Sequence, residues 1–343
     1  MTISRDLSGI LRRVAVIGSG MAGLTAGLML RDRGVAVTVF EKSRGPGGRL
    51  ASKRVDGGSL DIGAQYFTVR DPGFRAFLDH HTGPGQYGAW QARLSYERPD
   101  GHWESFHEAE RWVGMPRMTA ISRALSQGLD CCFETRIHSI VRRKDGAWCL
   151  IGPDGEQQGD FDAVLVTAPP EQARGLLSES NLWLADDPVF HERPLAPCWA
   201  VGVHFPVPTG LGMDGMSTQH HALQWAANNS SKPDRDEAGE WWVLHGRAEW
   251  SEANRASDPD TVIETLLEAF TEKTGFRGVP DEVLAHRWLY ARETARDDGP
   301  LYKWFDDHGI GVCGDWLSSG RVEGAWASAS ALVDRILKTA TNG

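Results

Sequence analysis

The sequence predicts an α/β protein of two parts, one wound on a parallel sheet and the other built on a mostly antiparallel sheet with helical cover. Three observations carry this. Val14-Ala15-Val16-Ile17 is a short apolar run suited to a strand buried on both faces, and Gly18-Ser19-Gly20-Met21-Ala22-Gly23 and an apolar helix follow at once. A second run, Val35 to Phe40, ends in a carboxylate, Glu41. Between residues 171 and 290, the runs Cys198 to Phe205, Ala222 to Ala227, Trp241 to His245 and Val283 to Tyr290 are strand-like, with one helix expected over Asp260 to Thr274.

The first two observations make a strand, turn, helix and strand that read as a dinucleotide cradle. Gly18 permits the turn, Gly20 lets backbone approach a pyrophosphate, and Gly23 lets the helix lie close to the sheet. The helix runs through Leu24, Leu28 and Leu30 toward a stop at Gly34, and its N-terminus offers N–H groups to an anion. Glu41 stands eighteen residues past Gly23, where a carboxylate accepts hydrogen bonds from ribose hydroxyls.

Composition bounds the class. A chain of 343 residues, 41% apolar, supplies one large domain or two closely joined ones, and a formal charge of −10 without a Lys/Arg run argues against nucleic acid as a partner. Five scattered cysteines without a C-x-x-C pattern read as core residues of a reducing compartment. No signal peptide or membrane span is legible, so the expected location is the cytoplasm. No H-E-x-x-H or G-x-S-x-G occurs, and the pairs His80-His81 and His220-His221 read as partly exposed loop histidines, so no metal is expected.

Further along, Ser43-Arg44-Gly45-Pro46-Gly47-Gly48-Arg49 is a glycine-rich loop ending in a guanidinium, a forked donor suited to gripping a pyrophosphate from its other side. Asp56 to Phe67 is a polar turn leading into small residues, where backbone passes close to something flat. In this order and spacing, GSGMAG…E, SRGPGGR and DGGSLDIGAQYF resemble the FAD-binding half of the amine-oxidase-like flavoproteins. The wording KSRGPGGRLASKR and DIGAQYFTVRDPGF is most similar to their renalase-like bacterial members.

That resemblance implies a discontinuous Rossmann-type FAD-binding domain over 11–75, 107–170 and 291–340, and a substrate domain over 76–106 and 171–290. It implies FAD contacts from Gly18, Gly20, Met21, Ala22 and Gly23 at the turn, from Glu41 and Lys42 after the second strand, and from Gly48 and Arg49 by the pyrophosphate. Gly63, Ala64, Gln65 and Tyr66 would pass the isoalloxazine, the backbone of Ile137 would meet the adenine, and Asp315 would lie near the ribityl chain. Gly324, Ala325 and Trp326 would open a final helix, running to Leu337, whose dipole favours the anionic reduced ring.

Other elements are expected as a helix from Gly114 through Leu125, a strand over Cys131 to Ile137, a meander from Val141 with a turn at Pro153 to Glu156, and a buried strand from Phe161 stopped by Pro169 and Pro170. The charged loop Ser231 to Glu237 is expected to be solvated.

Because a flavin does the hard chemistry, no triad is needed. Substrate-cavity candidates are Tyr66, Asn228, His245, Trp288 and Tyr290. The implied activity is an oxidase taking hydride from isomers of reduced nicotinamide dinucleotides to flavin N5 and passing electrons to dioxygen to give hydrogen peroxide. The alternatives are an amine oxidase or related small-molecule oxidase or desaturase, and a flavin-binding redox sensor without turnover. One departure is visible: Arg287 to Glu293 carries Leu289 and Glu293 where a second arginine and a proline are expected.

Overall fold

Apolar runs far apart in sequence meet in one sheet. In the computed structural model, which describes residues 11–341 apart from 57, 107–108, 236–237, 294–298 and 319, the order is Tyr302–Phe305, Ile310–Cys313, Ala163–Val166, Arg13–Ile17, Ala36–Phe40 and Asp130–Cys132. All neighbours are parallel except the first pair. Val14, Val16, Val164 and Leu165 carry no polar face because both sides of the sheet are covered. Helices Met21–Arg31 and Val322–Thr341 pack on one side. On the other lie helix Pro170–Glu179 and the expected meander, Ser139–Arg142, Trp148–Ile151 and Gln157–Phe161.

The second sheet runs Glu282–Glu293, Leu195–Phe205, Glu240–Gly246, Leu223–Asn228, Gly215–Ser217, Leu94–Glu97, Trp103–Ser105. It is antiparallel apart from the pairing of Gly215–Ser217 with Leu94–Glu97. Helix Pro259–Thr274 buries Val262, Leu266 and Phe270 against one face. The opposite face, through Ala200, Trp241 and Val243, meets Leu60 and Ile62 at the end of the hairpin Ser52–Val55/Gly58–Asp61. That hairpin is the wedge between the two sheets. Helix Pro72–Thr82 packs beside Thr119–Ser126 and Val322–Thr341, with Phe74 and Leu78 in the parallel-sheet core.

Several expected boundaries move. The first helix ends at Arg31, and Gly34 (φ +81°) sits in the turn beyond it. The helix expected from Gly114 starts at Thr119, because Trp112–Gly114 pairs with Tyr87–Ala89. The strand expected to Ile137 stops at Cys132. Glu134 there turns with φ +54°, and the Glu134 and Thr135 amides donate to the Ser43 and Glu41 carbonyls. The solvated-loop expectation fails: Lys232 and Arg235 are buried, while Asp236 and Glu237 lie outside the described residues. The Glu293 side chain also lies outside them. All five cysteines are free thiols. Among the described residues no helix is long and apolar enough to cross a membrane.

Candidate active site

The C-terminal ends of the parallel strands open onto a cleft of about 1830 Å³ that runs from Glu41 and Ile137 to the inner face of the second sheet. A pocket for one small ligand holds roughly 300–1,000 Å³, so this volume exceeds what a single small molecule fills. Gly18 has φ +109°, and a Cβ on Gly23 would stand 2.0 Å from the Gly18 carbonyl oxygen, so the helix can lie on the turn only without side chains at these positions. Gly23 therefore packs and does not line the cleft, whereas Gly18, Gly20, Met21 and Ala22 line it. A Cβ on Gly20 would meet no atom within 4 Å: its open side is the cleft itself.

The Glu41 carboxylate is buried and held by backbone. Oε2 accepts from the Ser19 amide at 2.9 Å and its hydroxyl at 2.8 Å, and Oε1 accepts from the Ser43 amide at 2.8 Å. Oε1 keeps a second lone pair for a ligand hydroxyl. Beside it Lys42 lines the cleft with its pKa lowered, by burial first and by Arg136 second. Gly48 and Arg49 line the cleft, and Arg49 forms a bidentate pair with Asp315, one arm of it at 2.8 Å. In this structure the guanidinium is thus matched by a carboxylate from the other end of the chain. Thr167, unassigned in the sequence, donates its hydroxyl to the Ile17 and Gly18 carbonyls at 3.1 Å each and fixes the turn.

At the opposite end Gly63, Ala64, Gln65 and Tyr66 line an aromatic chamber with Trp225, His245, Trp288 and Tyr290. The Tyr66 and Trp225 ring centres are 5.9 Å apart. The Ile62 carbonyl accepts from Trp288 Nε1 at 3.1 Å and His245 Nε2 at 3.3 Å, so His245 carries its proton on Nε2 and leaves Nδ1 an acceptor. Burial, then Arg292 and Lys232, lower its pKa to about 3, and that of the half-buried His286 falls to about 4, by desolvation first and by Lys53 second. Both rings are neutral at physiological pH.

Behind this chamber lies a buried network that the sequence did not disclose. Asp61 Oδ2 accepts from Lys232 Nζ at 3.1 Å and Arg235 at 2.6 Å, while Oδ1 accepts from the Met118 amide at 2.9 Å and the Ser52 hydroxyl at 2.8 Å. Burial alone would raise its pKa, but Lys232 and Arg235, with those two hydrogen bonds, outweigh it and hold the carboxyl at about 2. Lys232 also donates to Gln65 Oε1 at 3.2 Å, tying the network to the chamber lining. The signal in the sequence is Lys232 itself, which stands in the charged loop Ser231 to Glu237 and reads there as a solvated charge.

Other assignments change. Asn228 is not in the cavity: its Oδ1 accepts from the Ser230 amide and caps the turn Asn229–Ser231. Ala325 lines the cleft, but Gly324 and Trp326 do not, and Trp326 packs on Phe74 at 5.5 Å because a helix presents only one side to the cleft. Gly320, Arg321 and Val322 line it instead. His80 and His81 lie in the last helical turn of Pro72–Thr82, not in a loop, and their donor atoms stand with one from Asp32 within 4.8 Å of one another. His220 Nδ1 accepts the Ala222 and Leu223 amides and braces a turn.

A glycine turn at a helix N-terminus, a carboxylate with a spare acceptor site and a second chamber walled by aromatic rings define a dinucleotide-binding oxidoreductase site. Comparison with known proteins makes this specific. Residues 16–81 match an NAD(P)-binding Rossmann-like domain and residues 93–337 match the flavin containing amine oxidoreductase family. The chain belongs to that family, one of FAD-dependent oxidoreductases, and FAD is its cofactor. Among curated relatives, the hydroxyneurosporene desaturase of Rubrivivax gelatinosus is 47% identical over 58 residues, covering 17% of this chain and 11% of that protein. Protoporphyrinogen oxidase 2 of Arabidopsis thaliana is 43% identical over 68 residues, 20% of this chain and 13% of the other. The matched stretches thus span only about a tenth of these relatives. The solved cyclohexylamine oxidase from Brevibacterium oxydans IH-35A superposes with a TM-score of 0.73 at 11% identity, covering 96% of this chain and 99% of that one. Wild-type putrescine oxidase gives 0.72 at 11%, with 96% and 99% covered. These likenesses establish the amine-oxidase-like fold and leave substrate open.

The residues present fit the cofactor. Gly20 leaves the space a diphosphate needs against the helix N-terminus, Glu41 has an acceptor site for a ribose hydroxyl, and the backbone from Gly63 to Gln65 passes the cleft without bulk.

Proposed function

We propose that this protein is a renalase-like oxidase taking hydride from isomeric dihydronicotinamide dinucleotides. The observation that carries the reading is the aromatic character of the chamber, whose described lining offers no carboxylate. Its rings are Tyr66, Trp225, Trp288 and Tyr290, its histidines are uncharged, and among the described residues no Asp or Glu belongs to this end of the lining. Such walls suit a planar uncharged ring. Among the described residues a protonated amine finds no carboxylate there and meets Arg292 instead, which donates to Gln224 Oε1 at 2.7 Å.

In this reading His245 Nδ1 accepts a hydrogen bond from a carboxamide N–H and orients the ring without titrating. Tyr66 and Trp288 exclude water from its faces. Bound FAD supplies the hydride acceptor and returns the electrons to dioxygen as hydrogen peroxide. The free thiols accord with a cytoplasmic setting, which forms part of the proposal.

The test is anaerobic mixing of the FAD-loaded protein with dihydronicotinamide isomers, ordinary NADH and NADPH, and a panel of amines. Rapid bleaching of the flavin by the isomers alone is expected. Bleaching by amines only would replace this reading with an amine oxidase, and bleaching by none would leave a flavin-binding sensor.

A further inference from the structure

The charge of the cleft is opposite to that of the chain. The sequence carries a formal −10, yet eleven Lys or Arg residues and three Asp or Glu residues line the cleft. Of those acids, Glu41 is held by Ser19 and Ser43, and Asp315 by Arg49. One diphosphate cofactor at the glycine turns explains only the bases that face those turns.

A further group flanks the second turn, where Ser122, on the helix that carries Arg123, donates to the Pro46 carbonyl at 3.5 Å. Arg54 lies on the hairpin strand Ser52–Val55, two residues after Ser52 and so on the same face as that contact to Asp61. Arg117 precedes helix Thr119–Ser126 and Arg123 lies within it. All three line the cleft, and none forms an ion pair among the described residues. Arg117 is near enough to Arg123 and Arg54 that, after burial, their like charge is what lowers its pKa. The neighbouring network adds to the imbalance, because Asp61 is one carboxylate facing two cations, Lys232 and Arg235. Like charges gathered in a cleft raise the local potential and draw an anion into it. Guanidinium forks match phosphate oxygens in geometry as well as sign.

We propose that Arg54, Arg117 and Arg123 form an anion-binding arm of the cleft that takes the phosphates of a dinucleotide substrate, whose ring end occupies the aromatic chamber. This rests on the function proposed above for the substrate class, while the arm itself rests on the three arginines. FAD and substrate then share one cleft, which accords with its volume, and the arm selects phosphate-bearing substrates over bare rings of the same chemistry.

The test uses the FAD-loaded protein titrated calorimetrically with inorganic pyrophosphate and with ADP-ribose. Arg54→Ala, Arg117→Ala and Arg123→Ala are each expected to weaken binding by roughly tenfold or more, with less effect at high salt. Arg117→Lys should retain part of the binding. Arg54 and Arg123 are exposed, so these two variants keep the fold. The preference in kcat/KM for a dinucleotide isomer over a phosphate-free N-methyl ring should fall by the same factor. Unchanged titration in all three alanine variants would overturn the proposal, and loss of FAD from them would assign the arginines to the cofactor. If no dihydronicotinamide isomer bleaches the flavin, the proposed function falls while the pyrophosphate titration still decides the arm.

Discussion

Asp61 joins the hairpin to the Lys232 loop and to the start of helix Thr119–Ser126. Asp61→Asn leaves Lys232 and Arg235 buried without their counter-charge. Removing one partner of a buried pair costs about 3–5 kcal/mol, so a large fall in the denaturant midpoint is expected. Its lowered pKa gives the sign with pH. The native carboxyl stays charged to about 2, so the stability it contributes is present above its ordinary value and is lost as pH falls through that interval. The glycines separate fold from cofactor. Gly23→Ala should lower both the melting temperature of the apoprotein and its FAD affinity, because its Cβ would strike backbone. Gly20→Ala should leave the apoprotein melting temperature in place and weaken FAD binding alone, as read by flavin fluorescence. At this scale the sequence was legible where chemistry is local. Glu41 and the glycine turn lie within one continuous unit, and their geometry follows from a known spacing. The carboxylate that Lys232 and Arg235 share, Asp61, lies 171 and 174 residues away from them on the hairpin, and no periodicity in a charged loop reports that.

Strand Glu240–Gly246 shows what an element does to a side chain. Antiparallel neighbours pair both its edges while helix Pro259–Thr274 and the Leu60–Ile62 end of the hairpin cover its faces, so Trp241 to Leu244 are completely buried, and its next residue, His245, is carried into the chamber with its ring sealed. Its pKa of about 3 makes it neutral throughout pH 5–8, so the rate of anaerobic flavin bleaching should show no step from His245 in that range. A titration near 6.5 that vanished in His245→Gln would contradict this. Stability behaves differently, because the unfolded ring takes up a proton below about 6.5; between there and about 3, acid should progressively destabilise the protein. The longer strands of both sheets are readable from apolar runs, with edges off by a few residues, whereas the short strands Leu94–Glu97, Trp103–Ser105, Gly215–Ser217 and Tyr302–Phe305 carry no such run and are not. The errors fell where tertiary contacts bend the chain: Glu134 turning back onto Ser43, and Trp112–Gly114 recruited to pair with Tyr87–Ala89. Trp326 was misplaced for a similar reason, since which side of a helix faces the cleft is decided by the packing of its whole length.

Across the whole molecule, the parallel sheet is a meeting of distant segments. Its central strand, Arg13–Ile17, is flanked by Ala36–Phe40 and Ala163–Val166, and Ile310–Cys313 closes the next place in the order. A chain ending before Ile310 should therefore fail to retain FAD, and amide exchange would find Val164 to Val166, which lose their neighbour, less protected than Val14 to Val16, which keep both of theirs. The seven-stranded sheet has by then received all its strands. This order has a consequence for biosynthesis. At roughly 5–20 residues per second, a ribosome needs on the order of 15–60 s to pass from the opening glycine turn to the strand that completes its sheet. Once made, the Ala163–Val166 strand is an apolar edge awaiting Ile310–Cys313 until that interval ends, exposed to chaperones and to other nascent chains. Flavin capture becomes a late event of maturation, sealed when Asp315 arrives to meet Arg49, and cellular FAD supply should act on yield at that closing step rather than on early folding.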